Sequence, residues 1–198
     1  MKRLQAALAI FCTLFAAACL PVTSKIPVGT TTGLGNDAAL YGTWKGYSAD
    51  DHSPVYVHIL RSKNDEAIQA VMVGTGNDKE EGTIMLVELR TATLGENHFM
   101  NVIKFYTKDE HGETVNTLKD ASIPVLYRFG KNHSLRLYLL SEDKTKEAIA
   151  AGKLQGNVES GNFGDVKITS DAPALDAFMA TPEAAKLFKE FVALKKAE

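Results

Sequence analysis

Two cysteines and five histidines are the side chains best suited to bind a metal or act as a nucleophile, and their spacing limits what they can do. Cys12 lies inside an apolar run and Cys19 at its end, so no Cys-x-x-Cys pair forms. His52 sits beside Asp50 and Asp51, but adjacent residues on one turn do not converge on an ion, and neither H-x-H nor H-E-x-x-H occurs. His58 lies between Val57 and Ile59, where a hydrogen-bonded or solvent-facing ring is the simpler expectation. The loop GTGNDKEEGT runs on into TIMLVEL, a strand pattern, whereas a phosphate cradle needs a helix N-terminus there. Asn77, Asp78, Glu80 and Glu81 do not reproduce the alternating oxygen ligands of a calcium loop. No G-x-S-x-G is present. The sequence therefore offers no catalytic residue, no metal-ligand set and no cofactor fingerprint. An enzyme is the least favoured reading.

The N-terminus is more informative. Lys2 and Arg3 precede an uncharged, mostly apolar run from Leu4 to Ala18, which is the layout of a secretory signal. A membrane-spanning helix needs about 20 consecutive apolar residues, and this run stops at Pro21. Ala16-Ala17-Ala18-Cys19 resembles the lipobox of bacterial lipoproteins, with Ala16 where that family usually carries leucine. The resemblance implies that residues 1–18 are a signal peptide and that Cys19 becomes an acylated N-terminus. Leu20 stands where lipoproteins retained at the inner membrane have aspartate, so the same resemblance implies the outer membrane, facing the periplasm. Ala16 and Ala18 also fit ordinary A-x-A cleavage, which would give a secreted or periplasmic protein.

Processing would remove Cys12 and leave one thiol, so no internal disulfide forms and the core must hold the fold. One acyl chain anchors a protein marginally and two anchor it stably. Loss of Lys2 and Arg3 leaves 20 basic residues against 24 acids, a formal charge of −4. That balance disfavours nucleic acid, whose phosphates demand clustered Lys and Arg. The membrane is a partner through the anchor, not through charge.

Residues 19–38 contain LPVTSKIPVGTTTGLGND, which has no period of 2 or 3.6, and read as a flexible tether of about 25 Å reach. Residues 39–198 read as a single β-rich domain. Short apolar runs at 40–47, 54–61, 67–74, 83–92, 98–107, 122–129, 135–141, 154–158 and 165–170 are separated by Gly, Asn and Asp turns. Val125, Tyr127 and Phe129 alternate with Leu126 and Arg128, and Leu135, Leu137 and Leu139 with Arg136 and Tyr138, which predicts a hairpin across GKNHS. Helical spacing enters at 143–152, 171–179 and 181–197. In the last of these, Ala184, Leu187, Phe188, Phe191 and Leu194 form a stripe expected to close one face or mouth of the β structure. The predicted class is mainly β: an antiparallel barrel or sandwich of eight or nine strands with C-terminal helices packed on it.

Gly42-Thr43-Trp44 resembles the G-x-W signature of lipocalins, which implies an eight-stranded barrel with the tryptophan plugging one end. The match is a tripeptide, and the family's later motifs are not found. With or without it, Trp44 should be buried with its indole N–H bonded. A barrel of this size is either filled by its own side chains or hollow enough for one ligand. Two functions follow from that choice. One is a binding module for an apolar or amphipathic small molecule, with Trp44, Tyr56, Met72, Phe105, Tyr127 and Tyr138 as candidate lining residues. The other is an interaction protein whose outer face contacts an envelope protein, as an assembly factor or hydrolase inhibitor.

Overall fold

A computed structural model describes residues 21–49, 52–61, 67–74, 83–108, 114–158 and 166–197. The expected signal segment, Cys19, residues 75–82 and His111 lie outside the described residues.

Eight antiparallel strands close into a barrel. They are β2 (Gly42–Ser48), β3 (Pro54–Arg61), β4 (Ile68–Gly74), β5 (Thr83–Leu94), β6 (Asn97–Lys108), β8 (Ile123–Gly130), β9 (Ser134–Leu140) and β12 (Phe188–Lys196). A short β7 (Thr114–Asn116) extends the sheet at the far half of β6. Strands β2 to β6 form a meander, the predicted β8–β9 hairpin follows, and β12 seals the ring between β9 and β2. Pairing of β5 with β6 makes this a barrel and not a sandwich.

Paired residues run one way from Gly46 through Val55 and Gly74 to Thr83. The other way they run from Ser48 through Val192, Leu137, Tyr127 and His98 to Thr93. These paths reach β5 far out of step, so the strands tilt steeply around the barrel axis, and a cluster of buried side chains occupies the interior. Gly46 permits the closure: a Cβ there would lie 1.9 Å from the Ala193 carbonyl oxygen, because β2 and β12 approach backbone to backbone.

Period-2 patterning sets which side chains point inward. Val55, Val57 and Ile59 are buried and alternate with exposed Tyr56, His58 and Leu60. In β6 a bulge opposite Glu88 and Leu89 inserts Ile103 and reverses the parity, so Phe105 shares the inner face with Met100 and Val102 while Phe99 points out.

A second apolar cluster covers the outer face of β6, β8 and β9. Its elements are α1 (Glu142–Ala150), β10 (Gly156–Val158), β11 (Val166–Ile168), α2 (Ala172–Met179) and the single turn α3 (Pro182–Ala185). Strand β11 pairs with β10 and, in parallel, with β1 (Thr23–Ser24). Leu154, Ile168, Leu175, Met179 and Leu187 from this layer pack on Phe99, Leu126 and Leu140 from the barrel. Asp171 and Thr181 cap α2 and α3, accepting from the backbone N–H of Ala174 and Ala184.

Two expectations are corrected. The helix expected at 181–197 is one turn followed by β12. The segment KLFKEFVALKK fits both periods, and as a strand it turns Val192 and Leu194 inward and Ala193 and Lys195 outward, while an irregularity between Glu190 and Val192 puts Phe188 on the outer face and Lys189, the partner of Leu139, on the inner one. Two unpaired barrel edges waited on either side, and pairing with both outweighs local helical preference. The tether expected at 19–38 is, over its described part, a strap fastened along the barrel. Val22 and Val28 are buried, Ser24 pairs with Ser122, and Gly35 pairs with Thr91. The buried Asn101 amide accepts from Val28 N–H and donates to Val28 C=O, both at 2.8 Å, as a neighbouring strand would. The buried Asp176 carboxylate accepts from Gly29 N–H (2.6 Å), Thr31 N–H (2.8 Å) and the Thr31 hydroxyl (2.6 Å). Gly29 is required there: its φ is +90°, and a Cβ would lie 2.1 Å from that of Ala92.

Candidate functional site

The barrel ends differ. One, where β2 begins and β12 stops, is plugged by a 3-10 helix, Ala38–Leu40, that precedes β2. Leu40 is fully buried, and its carbonyl accepts the Trp44 indole N–H at 2.7 Å. The Tyr127 hydroxyl donates to Asp37 Oδ2 at 2.7 Å, while Asp37 Oδ1 accepts from Ala39 N–H. Burial, followed by the hydrogen bond and charge of Asp37, pushes the Tyr127 phenol far above its ordinary value. Phe129 packs edge-on against Tyr127, and the Lys196 ammonium lies 5.4 Å from the Trp44 ring centre. Trp44 and Tyr127 each remain only 2% exposed.

At the opposite end the inner wall is mostly apolar and incompletely covered, with Lys189 beside Leu139 at its edge. Met72 and Met85 face one another across β4 and β5, and Val87 faces Phe105 across β5 and β6. With Val102 and Leu139 they are half-buried, whereas the wall around Trp44 is closed. None of these six side chains titrates. Methionine is flexible and polarisable and adapts to irregular apolar shapes.

Of the six side chains expected to line a site, Trp44 and Tyr127 belong to the plug, and Met72 and Phe105 to the half-covered wall. Tyr56 is on the outer face and 46% exposed, because Val55 and Val57 take the inward positions. Tyr138 also points outward, into the layer that covers β9. Sequence reasoning missed Met85, Val87, Val102 and Leu139. Their alternation was visible for Leu139, but the ring they form depends on register.

Other polar groups lie apart from this wall. His58 Nδ1 is 2.6 Å from the Thr43 hydroxyl, and His98 Nδ1 is 3.0 Å from that of Thr93. Among the described residues no group of three or more His, Cys, Asp or Glu could hold a metal ion. On the outer face of β5 and β6, Glu88 accepts from the Tyr106 hydroxyl (2.8 Å) and pairs with Lys104 (2.9 Å). Partial burial works to raise the Glu88 carboxyl, but hydrogen bonds from Lys104 and Tyr106 and the Lys104 charge hold it below its ordinary value. A shallow depression of about 560 Å³ lies on the outer face over β2 and β12, lined by Lys45, Tyr47, Tyr56, Asn132, Arg136 and Lys195 among others.

No protein-family model matches the sequence, and no curated protein or solved structure matches the chain. Among the described residues no helix is long and apolar enough to cross a membrane.

Proposed function

We propose that this chain is a lipid-anchored protein of the bacterial envelope, attached through Cys19 at the periplasmic face of the outer membrane, and that it binds an apolar or amphipathic small molecule in the barrel. The observation that carries the ligand reading is the contrast between a sealed wall around Trp44 and a half-covered apolar wall around Met72 and Phe105. Exposed apolar surface on the inside of a barrel is a standing cost of about 25 cal/mol per Å², which a bound molecule removes. The six wall side chains select by shape and hydrophobicity, and Lys189, paired with Leu139 on the same face, adds one cation at the edge of the wall, which suits an amphipathic molecule with an acidic head. The lipid anchor is supported by the basic and apolar run from Lys2 to Ala18 and by the Ala16–Cys19 stretch that ends it.

Native mass spectrometry of the protein extracted from its own host tests both parts, since it reads the mass added at Cys19 and any molecule that travels with the chain. A naturally fluorescent polyene fatty acid gives a second readout. It should bind the wild type, and Met72→Arg or Phe105→Arg should abolish binding by placing an ion in the wall. Unchanged binding in both variants would exclude this site. The second reading, contact with another envelope protein, is favoured by the outer depression with its exposed Tyr47 and Tyr56. It gains if no small molecule is found and Tyr47→Ala alters the protein's co-purifying partners.

A further inference from the structure

The strap gives the barrel an orientation. Its first described residues lie at the half-covered end: Ser24 and Ser122 exchange two backbone hydrogen bonds of 2.8 Å, and Ser122 adjoins Ile123, the partner of Val102. From there the strap passes Asn101 at Val28 and Asp176 at Gly29 and Thr31, then ends at Asp37 beneath Tyr127 in the plug. It therefore spans the barrel from the half-covered end to the plugged one. Cys19 precedes Ser24 by five residues, which is at most about 18 Å of extended chain. Being fastened at both ends, the strap gives the anchor no slack to reach the plug.

Exposed apolar side chains cluster at that same end. Ile84 is 74% exposed and Tyr47 63%, Tyr56 and Leu86 stand on the same half of their strands, and Val115 pairs with Thr107 at that end of β6. Phe129 and Leu60 are the exposed counterparts near the plug. A rim of this kind around an apolar interior fits the interface of a bilayer, where aromatic and aliphatic side chains gain from burial.

We infer that the rim carrying Tyr47, Ile84 and Leu86 is a membrane-docking surface, so that the half-covered mouth of the barrel faces the phospholipid bilayer and the Trp44 plug faces away from it. Any ligand would then enter directly from the lipid. This inference rests on the membrane-anchored part of the proposed function and is independent of the ligand.

The test uses the full chain, as isolated from its host, reconstituted into phosphatidylcholine vesicles containing nitroxide-labelled phosphatidylcholine. Trp44 is the chain's one tryptophan and reports on the plug. Ile84→Trp and Leu60→Trp each add an emitter at an exposed site near one end or the other, and an unchanged urea midpoint confirms that both variants fold. The expected result is loss of most of the added emission in Ile84→Trp, with Leu60→Trp and Trp44 keeping theirs. Equal quenching of the two added emitters, or quenching of Leu60→Trp alone, overturns the orientation. If the vesicles float with the protein but neither emitter is quenched, the docking surface is wrong while the anchor stands. If the protein does not float with them, both fall.

Discussion

The two ends of this barrel are built from the same strands, yet one is sealed and the other is not. At the plug each large side chain has a polar partner as well as apolar neighbours: Trp44 bonds Leu40 C=O, and Tyr127 bonds Asp37. Met72 and Phe105 instead face the apolar side chains of Met85 and Val87, and all four are only half-buried. The difference separates two tasks, since directional bonds fix one geometry whereas soft apolar surface tolerates a guest.

Truncating the plug should break the comparison most strongly. Trp44→Ala is expected to cost about 3–5 kcal/mol, whereas Met72→Ala, from a half-buried site, should cost about 1 kcal/mol. Urea midpoints of the two variants measure this, and equal losses would mean that the ends are energetically alike. Next in size is the strap that joins them. Asp176→Ala leaves the Gly29 and Thr31 N–H groups without their acceptor and should cost about 2–3 kcal/mol. Hydrogen exchange should speed up at those amides while those of β8 and β9 stay protected.

Tyr127→Phe keeps the ring and removes one bond to Asp37, for about 1–2 kcal/mol at neutral pH. The folded chain favours the neutral phenol, so this contribution is complete below pH 10, the ordinary tyrosine value, and declines as pH rises beyond it. The variant should therefore show a flatter alkaline unfolding profile than the wild type, and an identical profile would remove Tyr127 from the plug's account. The smallest effect belongs to neither end. Glu88→Gln weakens a partly exposed ion pair and should change stability by less than about 1 kcal/mol. Because the Glu88 carboxyl is held low, its contribution is present above the ordinary carboxylate range and fades as pH falls through the lowered value. Titration of the variant between neutral and acid pH checks that sign.

The β8–β9 hairpin was legible because alternation in Val125–Phe129 and Leu135–Leu139 is unambiguous and a short turn links them. Strand β3 was legible as a strand but not in its facing: Tyr56 and Val57 are both apolar enough to point inward, and only pairing with β2 and β4 turns Tyr56 out. The strap was illegible, because side chains distant in sequence, Asn101 and Asp176, hold it in place of any pattern of its own. Four of the six wall residues, Met85, Val87, Val102 and Leu139, were hidden for a similar reason, and Phe105 was named without its facing being legible. Phe105 faces inward because of the bulge at Ile103, and nothing in HFMNVIKFYT announces an inserted residue.

The sequence by itself determined a mainly β chain, the strand positions in the meander, a buried Trp44 with a bonded indole, and an apolar N-terminal run ending at Cys19. Those features depend on alternation, turn residues and composition, all of which are local. Tertiary structure decided that the sheet closes, that Phe188–Lys196 is a strand, and that residues 22–37 bind the barrel from one end to the other. Each of those outcomes depends on hydrogen-bonding groups that only the folded chain brings within reach.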